Sequence, residues 1–493
     1  MSADVSSEAA VPGRGGAGPL TRGPIARTLL VFALPVLGAN VLQSLNGSVN
    51  AVFVGRLIGA DALAATANAN LVLFLLLGAV FGIGMAATIL VGQSMGAGDT
   101  LQARKVVGTA ATFFLAVSLL FTLAGWVFAP AILRLLGTPP EALPLALPYL
   151  RVLFLAVPFL NLLAFVMTVL RGAGDSKTPF LFMGLAVGLD IVVNPFLITG
   201  MGPWPRLGIA GSALATLVGQ AVALLAILVL LYRRKHPLRL AGADLKLLRP
   251  DPALLRTVVA KGVPMGLQMI VISASALILM GLVNAYGARM AAAYGVAAQL
   301  WTYAQMPALA IGAAVTAMAA QNIGAGRWDR ITRITAAGVG FNLALTGALV
   351  AGLYLFEPFL LGLFLAEDRE ARALAEHINE SVAWSFVLFG VTVVLFGTVR
   401  AAGAVTPPLV ILVITLFGVR SLFAYGMQGV IGADAIWWSF PAGSIASVAL
   451  AAAYYRWGRW RRARNPPSTR PAGGEPPDTG LGMPRQRARL REE

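Results

Sequence analysis

One carboxylate, that of Asp190, lies near the middle of an apolar segment and is the side chain best suited to ion chemistry. The segment reads GLDIVVNP from Gly188, and Asp190 follows Pro179 by 11 residues, about 16 Å along a helix. An ionisable group at bilayer depth is costly and is a functional candidate by default. We expect Asp190 to bind and release a proton or a cation. The alternative is a structural carboxylate satisfied by hydroxyls or by an arginine.

A stripe of amide side chains marks the first apolar segment. Gln43, Asn46 and Asn50 fall within about 60° of one another around a helix. Such a stripe suits the wall of a water-filled cavity that holds cargo. Hydrogen bonding between helices, which would only hold a bundle together, is the alternative interpretation.

A second polar and aromatic set lies later in the chain. Aromatic rings with few charges nearby suit flat organic cations, although an interfacial aromatic belt uses the same residue types. Arg420 follows Pro407 by 13 residues and either lines the cavity or extends its guanidinium to the membrane surface. A pair between Asp190 and Arg420 is conceivable. The candidate cavity residues of this set are Gln268, Gln299, Tyr303 and Arg420.

Composition excludes several kinds of site. The chain has no cysteine, and its two histidines, His236 and His377, lie far apart in sequence, so we expect no metal centre. The nearest match to a nucleotide-binding loop, residues 172–178, lacks the glycine before its lysine. No nucleophile is clustered with a base. We therefore expect a protein that is not an enzyme, needs no cofactor and draws its energy from an ion gradient.

The overall composition predicts an all-α protein that crosses a membrane many times. Hydrophobic residues make up 58% of the 493 residues and charged residues 12%, against about 25% charged in a soluble protein. Apolar stretches of roughly 20 residues or more recur along the chain, and each is long enough to cross a bilayer. The twelve predicted spans are 26–54, 62–92, 105–130, 146–169, 178–200, 209–232, 256–285, 291–320, 332–356, 380–399, 407–428 and 434–456.

Basic residues predict the orientation in a plasma or inner membrane. With a cytoplasmic N-terminus, 29 of the 37 lysines and arginines lie in cytoplasmic segments, which places both termini in the cytoplasm. Basic loops facing anionic lipid explain the net charge of +16 without nucleic acid. We expect a monomer. Its predicted parts are a disordered arm 1–24, an N-lobe 25–232, a cytoplasmic linker 233–255, a C-lobe 256–456 and a basic disordered tail 457–493.

The two halves of the chain repeat the same motifs. Residues 91–99, VGQSMGAGD, return as residues 319–327, AAQNIGAGR, and Pro35 returns as Pro264. Six spans per half is an even number, so both halves enter the membrane from the same side as parallel repeats. Each proline removes a helical hydrogen bond and marks a candidate hinge. The glutamines of the two repeated motifs are expected to cap helices.

Together these motifs resemble the multidrug and toxic compound extrusion (MATE) family. The first half reads FVGR at 53–56, GADALAA at 59–65 and LRGAGDSKTP at 170–179, and the second half reads GVP at 262–264 and QNIGAG at 321–326. The match covers nearly the whole apolar part of the chain. The resemblance implies twelve helices in two six-helix lobes that form a V, and export of organic cations in exchange for H⁺ or Na⁺.

The sequence departs from the family pattern at the ion-binding positions. Many members carry an aspartate where this chain has Asn50, and an Asn-x-x-x-Asp motif where this chain has Asp190 followed by Asn194. The glutamate that binds a cation in the second lobe of one branch is matched here by Ile272. We therefore expect ion coupling to rest on Asp190, with Asn194 and Asn50 as neutral partners.

These observations predict a secondary active antiporter that exports small organic cations by rocking of two lobes. The alternative is a flippase for lipid-linked sugars or lipids from the same superfamily, in which Arg420 contacts a phosphate. A passive channel is a third class, but one deep acid in duplicated lobes suits coupled exchange better.

Overall fold

A computed structural model describes residues 18–135, 138, 143–202, 205–365 and 368–462, and within these ranges the chain forms helices and no strand. Six long helices make up the first half. They are α1 (Ile25–Leu57), α2 (Ala60–Gly96), α3 (Thr100–Leu135), α4 (Leu143–Ala173), α5 (Lys177–Thr199) and α6 (Ile209–Arg233).

The second half repeats this arrangement with more interruptions. Its helices are α7 (Pro252–Ala285), α8 (Ala288–Gly324), α9 (Asp329–Phe364), α10 (Arg369–Val382), α11 (Ser385–Ala401), α12 (Thr406–Val413), α13 (Leu422–Gly426), α14 (Gln428–Ile431) and α15 (Asp434–Trp457). A π-helical segment, Ile414–Ser421, joins α12 to α13.

The helices account for twelve spans. In the described part of the chain, ten helical segments are long and apolar enough to cross a bilayer, and one of these, Thr406–Ile431, comprises α12, the π-helical segment, α13 and α14. The pair α10 and α11 forms an eleventh span with a bend of 44°. The 37-residue α2 is the twelfth. The protein is therefore a multi-pass membrane protein built from two six-span lobes, as the sequence predicted.

The buried residues that join the two lobes are concentrated at one side of the membrane. We name this the terminal side, because residues 18–24, the 234–251 linker and the end of α15 lie there. One buried cluster spans both lobes on this side, with Phe32 and Ile89 from the first lobe against Ala314 and Met318 from the second. On the opposite side each lobe has its own separate core. The lobes thus diverge from the terminal side and give the bundle its V shape.

Local sequence explains the helix ends and the close contact between lobes. Asp251 caps α7 by accepting hydrogen bonds from the backbone of Ala253 and Leu254. At the junction, a Cβ added to Gly82 of α2 would lie 2.2 Å from the backbone nitrogen of Gly266 in α7. Only glycine allows the two backbones to approach so closely. The candidate hinges lie within α1 and α7, which continue as helices through both prolines.

The ends of the chain are more ordered than the sequence suggested. We expected a disordered arm through residue 24, but residues 18–24 are packed, and Leu20 and Thr21 are buried. Similarly, the expected tail begins with an ordered turn in which Trp460 is buried and donates to the Tyr455 carbonyl over 2.8 Å. Hydrogen bonds and apolar burial hold these short segments, and neither is visible in composition. The remaining predicted arm and tail, residues 1–17 and 463–493, lie outside the described residues.

Candidate functional site

The Asp190 carboxylate lies inside the first lobe, between α1, α5 and α6. Its side chain is buried, at 3% exposure. Asn46 of α1 donates to Asp190 Oδ2 over 2.8 Å, and the Thr216 hydroxyl of α6 lies 3.3 and 3.4 Å from the two carboxylate oxygens. The carboxylate therefore faces polar groups of neighbouring helices.

The helical repeat explains why this residue points inward. Buried positions on α5 recur at Ala186, Asp190 and Asn194, four residues apart, so they share one face of the helix. The face packs against α6, where a Cβ on Gly219 would lie 2.8 Å from the Ala186 carbonyl. The same face of α5 thus makes the close contact with α6 and carries the polar residues Asp190 and Asn194.

A second polar group lies one helical turn further towards the opposite side. Asn194 donates to Asn50 Oδ1 over 2.9 Å, and the Ser212 hydroxyl donates to the same oxygen over 2.6 Å. The buried Tyr149 hydroxyl lies next to Asn50. The three predicted coupling residues therefore lie in two adjacent polar groups, which meet where the Thr216 hydroxyl contacts the Ser212 carbonyl over 3.4 Å. Sequence reasoning missed Tyr149, Ser212 and Thr216, although Ser212 and Thr216 are spaced for one helix face.

The two polar groups form a regular ladder between α1 and α5. Asn46 pairs with Asp190 and Asn50 pairs with Asn194, so the spacing of four residues is the same on both helices. Four residues correspond to about 6 Å of helix rise. The acid consequently occupies the rung nearer the terminal side, and the neutral amides occupy the rung nearer the opposite side.

The network can satisfy Asp190 in two charge states. The ionised carboxylate accepts from the Asn46 amide and the Thr216 hydroxyl, as the geometry shows. A hydroxyl can rotate and accept instead, so Thr216 can also serve a protonated carboxyl group. In addition, Asn194 Oδ1 is buried without a hydrogen-bond partner among the described residues and is free to contact a cation. No lysine, arginine or histidine pairs with Asp190 in the described part of the chain.

The predicted cavity residues outside this network lie in different surroundings. Gln43 is exposed on α1, and Gln299 donates weakly to the Tyr303 hydroxyl over 3.4 Å on α8. Gln268 is buried and contacts the Val405 carbonyl over 3.4 Å. Gln268 also accepts from an arginine of α11, so its amide helps to hold the turn between α11 and α12.

Arg420 lies in the π-helical segment of the second lobe. Its guanidinium carbon lies 3.6 Å from the centre of the Phe440 ring. Its Nε is buried without a hydrogen-bond partner, and no ion pair to Arg420 occurs among the described residues. The conceivable pair with Asp190 is therefore absent from this conformation, since both side chains are described.

A second buried acid was not recognised in the sequence. Glu357 is 7% exposed, and it lies inside α9, whose predicted span ended one residue earlier. The apolar residues continue past it to Phe364, and that continuation was the available signal. Its neighbours include Asn379, Glu376 and Glu380. Glu357 thus lies at the opposite side of the second lobe, remote from the ladder of the first.

The repeated glutamines join the two lobes at the terminal side. Gln93 of α2 donates to the Ala401 carbonyl at the end of α11 over 2.7 Å. Gln321 of α8 donates to the Gly172 carbonyl at the end of α4 over 2.8 Å. The motifs that carry Gly172 and Ala401 are themselves repeats, so the two bonds are related by the internal symmetry. Each glutamine thus caps a helix end, as the sequence predicted, but the helix that it caps belongs to the other lobe.

The N-terminal segment reinforces this junction. Gln321 Oε1 accepts from the backbone N–H of Leu20 over 3.0 Å, and Asn322 donates to the Leu20 carbonyl over 3.1 Å. Arg327 donates to the Thr21 carbonyl over 2.8 Å. The segment therefore closes the cleft between the lobes at the terminal side.

Comparison with known proteins gives one family. The MatE family model matches residues 35–196 and 264–426, one match in each half. The probable multidrug resistance protein YoeA of Bacillus subtilis is 37% identical over 432 residues, which cover 87% of this chain and 93% of that protein. The FAD transporter of Shewanella oneidensis is 28% identical over 73% of this chain and 78% of its own length.

Solved structures show the same fold. A crystal structure of MATE in the bent conformation superposes with a TM-score of 0.81 over 90% of this chain and 96% of that chain, at 22% identity. The superposition extends over both lobes and supports the arrangement of twelve spans described above.

Proposed function

The chain belongs to the MatE family of multidrug efflux transporters, and we propose that it is a secondary active antiporter that exports small organic compounds in exchange for H⁺ or Na⁺. Members of this family are transporters, so the protein is not an enzyme. We propose the coupling ion, the residues that hold it and the nature of the cargo from the contacts described below.

The observation that carries the proposal is the environment of Asp190. A carboxylate inside a membrane lobe is costly, and here it is held by Asn46 and Thr216, which are neutral. The Thr216 hydroxyl is also compatible with the alternative, a structural carboxylate satisfied by hydroxyls, but no fixed cation among the described residues balances the charge. Neutral donors leave the charge of Asp190 uncompensated, so a mobile ion can compensate it.

Binding of the ion changes what α1 contacts. When Asp190 takes up a proton or Na⁺, its negative charge is neutralised and its hydrogen bond to Asn46 weakens. The same helix packs at its other end into the junction cluster through Phe32 and Val36. A shift of α1 is therefore transmitted to the contact between the lobes. Pro35 lies within the junction region of α1, between Phe32 and Val36, and removes one backbone hydrogen bond there, as Pro264 does in α7.

We propose that the terminal side faces the cytoplasm of a plasma or inner membrane, with both termini inside. The positive-inside bias supports this orientation. The lobes then correspond to residues 25–232 and 256–456, joined by the linker 233–255. In this orientation the present conformation is closed to the cytoplasm and open outward. Rocking of the lobes about the junction, in a monomer, alternates access to the cleft.

Both coupling ions remain part of the proposal. Proton exchange needs only the carboxylate and a hydroxyl that can reverse its hydrogen bond, which Thr216 supplies. Na⁺ needs several oxygen ligands, and the unpaired Asn194 Oδ1 and the carboxylate oxygens offer a start. The predicted wall of the cargo cavity consists of Gln43, Asn46, Gln268, Gln299, Tyr303 and Arg420.

A flippase for lipid-linked sugars or lipids is the second candidate function. One observation favours it: Arg420 has no counter-ion in the second lobe, and arginine binds phosphate well. Among the relatives, the FAD transporter is named for a molecule with two phosphates. The uncompensated acid in the first lobe still requires an ion, so we favour the antiporter.

The test is ion flux driven by cargo in proteoliposomes. Purified protein is reconstituted with a fluorescent aromatic zwitterion inside, and H⁺ and Na⁺ entry are each followed with an indicator. We expect cargo release to drive entry of one of the two ions. Cargo movement that is unaffected by either ion gradient would exclude the antiporter.

A further inference from the structure

The second lobe contains an unpaired cation within an aromatic cluster. Arg420 lies against Phe440, whose ring contacts Trp301 at a centroid distance of 5.2 Å. Trp301 in turn contacts Tyr294 at 5.8 Å, and Tyr294 stacks on Trp437 at 5.9 Å. All four rings belong to one buried core. The guanidinium therefore points into the lobe, and extension outward to the membrane surface does not describe its position.

The backbone around Arg420 is built to place the side chain there. Residues 414–421 form a π-helical segment, and the Ser421 hydroxyl donates to the Leu416 carbonyl over 2.9 Å. Such a segment inside a longer helix is rare and is frequent at functional sites. On the neighbouring α15, a Cβ at Gly443 would lie 3.2 Å from the Arg420 Cβ. A larger residue at Gly443 would press on the arginine stem.

No group in the described residues neutralises this cation. Its Nε is buried without a partner, whereas its two Nη atoms are not buried and have no acceptor among the described residues. Glu357, a buried acid of the same lobe, lies near Asn379, Glu376 and Glu380 and forms no ion pair with Arg420. Arg420 is half-buried, and its Nη atoms are accessible beside the aromatic cluster, so an anion can reach them and complete the charge.

We infer that Arg420 anchors an anionic group, a carboxylate or a phosphate, on a flat aromatic cargo that binds in the second lobe. The two free Nη groups form a fork that matches two oxygens of such an anion. The rings beside the fork provide apolar surface for the aromatic part. A cargo that bears positive charge alone would be repelled by Arg420, so the inference rests on the proposed export function and narrows its cargo to acids and zwitterions.

The lobes then have opposite tasks. The first lobe holds Asp190 among neutral hydrogen-bond donors and suits a small cation. The second lobe holds Arg420 among aromatic rings and suits an organic anion. Asp190 and Arg420 lie in the fifth span of the first and second half, respectively. The two halves of the repeat therefore carry opposite charges in corresponding spans.

The test is a matched pair of fluorescent probes, riboflavin and riboflavin 5′-phosphate, which differ by one phosphate on the same flat ring system. Binding is measured by fluorescence titration of the full protein in maltoside micelles, in phosphate-free buffer. We expect the phosphate form to bind the wild-type protein about tenfold more tightly, because it gains charge-assisted hydrogen bonds. Equal affinities, or no measurable binding of the phosphate form, overturn the inference without any variant.

Variants assign the preference to the arginine. Arg420→Met keeps an apolar stem over Phe440 and should abolish the preference, whereas Arg420→Lys should keep part of it. If Arg420→Met does not fold, the inference is still tested by the ratio of the two probe affinities in the wild-type protein and by the reduced ratio expected in Arg420→Lys. An unchanged preference in Arg420→Met contradicts the inference.

Two further arms separate this site from its rivals. Phosphatidylglycerol added to the micelles tests a lipid headgroup as the anion: stabilisation of wild-type protein over Arg420→Met by lipid, with no preference between the probes, refutes the cargo site. Asp190→Asn protein should keep the probe preference, since the anchor lies in the other lobe. A failed ion-exchange test would therefore leave the anion site at Arg420 unaffected. Likewise, equal binding of the two probes would leave ion coupling at Asp190 unaffected.

Discussion

Asn46 Nδ2 donates to Asp190 Oδ2 across 2.8 Å and so ties α1 to the buried acid of α5. The same α1 packs through Phe32 and Val36 into the cluster that joins the lobes. One helix thus contacts both the proposed ion site and the closed end of the cleft. This connection gives a physical route from the charge of Asp190 to the angle between the lobes.

Removing the amide of Asn46 should break the connection between the charge of Asp190 and the contact that α1 makes with the other lobe. In Asn46→Leu, Asp190 keeps Thr216 as a donor but loses its link to α1. We expect ion binding to persist and uphill export to fall. The measurement is initial export rate in proteoliposomes beside Ser48→Ala, whose hydroxyl bonds only to its own helix. Equal rates in both variants would show that the link to Asn46 carries no coupling.

The neutral rung of the ladder should contribute to stability more than to ion exchange. Ser212→Ala removes a hydroxyl that donates to Asn50 Oδ1 over 2.6 Å. Hydrogen bonds between membrane helices average about 0.6 kcal/mol, so a similar loss in unfolding free energy is expected. Denaturation in mixed micelles measures the loss, and export should remain. Loss of export with normal stability would instead place Ser212 among the ion ligands.

The glycine contact at the junction should set the balance between conformations. A Cβ in Gly82→Ala would meet the backbone of Gly266 at 2.2 Å, which is overpacking worth about 1–3 kcal/mol. The control is Gly281→Ala in α7, which meets nothing within 4 Å and gains helix propensity. We expect only the first variant to shift the lobes away from the present state.

That shift can be measured with spin labels, because the chain has no cysteine that would react with them. Cysteines at Arg206 and Val430, which are exposed on the opposite side of the two lobes, report the opening there. Shorter label distances are expected in Gly82→Ala and unchanged distances in Gly281→Ala. Identical distance distributions would mean that this contact does not hold the lobes.

Gln321 should contribute more than Gln93 to holding the two lobes together. Gln93→Ala removes one bond between the lobes, whereas Gln321→Ala removes the bond to Gly172 and also the acceptor for Leu20. The same label pair should show the larger shift in Gln321→Ala. Gln102→Ala, whose side chain makes no hydrogen bond to a described residue, is the control. A larger effect of Gln93→Ala would contradict the role given to the N-terminal segment.

Acid should loosen the linker at His236. Burial lowers the pKa of His236 below its usual 6.5, with Asp175 acting weakly in the other direction. Its Nδ1 accepts from the backbone N–H of Leu238 over 3.2 Å, which requires the neutral ring. Because the folded pKa is lowered, this stabilisation is complete above about pH 6.5 and is lost as the pH falls below it. After correction for the intrinsic exchange rate, which itself falls with pH, the protection of residues 234–240 should decrease between pH 7.5 and 5.5, and should not decrease in His236→Gln.

Much of the fold could be predicted from the sequence because it depends on local patterns. Apolar stretches of bilayer length and the repeat of residues 91–99 specify the spans and the two lobes. The inward position of Asp190 followed from the rule that acids avoid lipid. Its partner Thr216 could not be found in this way, since the partnership depends on how α6 packs against α5.

Other features depend on contacts between distant residues and left little trace in the sequence. Gln93 and Ala401 are 308 positions apart, and no local pattern shows that a repeated glutamine crosses between lobes. The order of residues 18–24 depends on Gln321 and Arg327 in the other half. The sequence could not show that Arg420 lacks a counter-ion, because this depends on which acidic side chains lie near it in the folded lobe.

The most direct test of ion coupling compares Asp190→Asn with wild-type protein in two transport modes. Uphill export driven by a proton or sodium gradient requires an ion at residue 190, whereas counterflow of labelled against unlabelled cargo requires only that the lobes move. We predict that Asp190→Asn loses uphill export to the level of empty liposomes and keeps counterflow. Full gradient-driven export by Asp190→Asn would contradict the assignment of Asp190 as the coupling carboxylate.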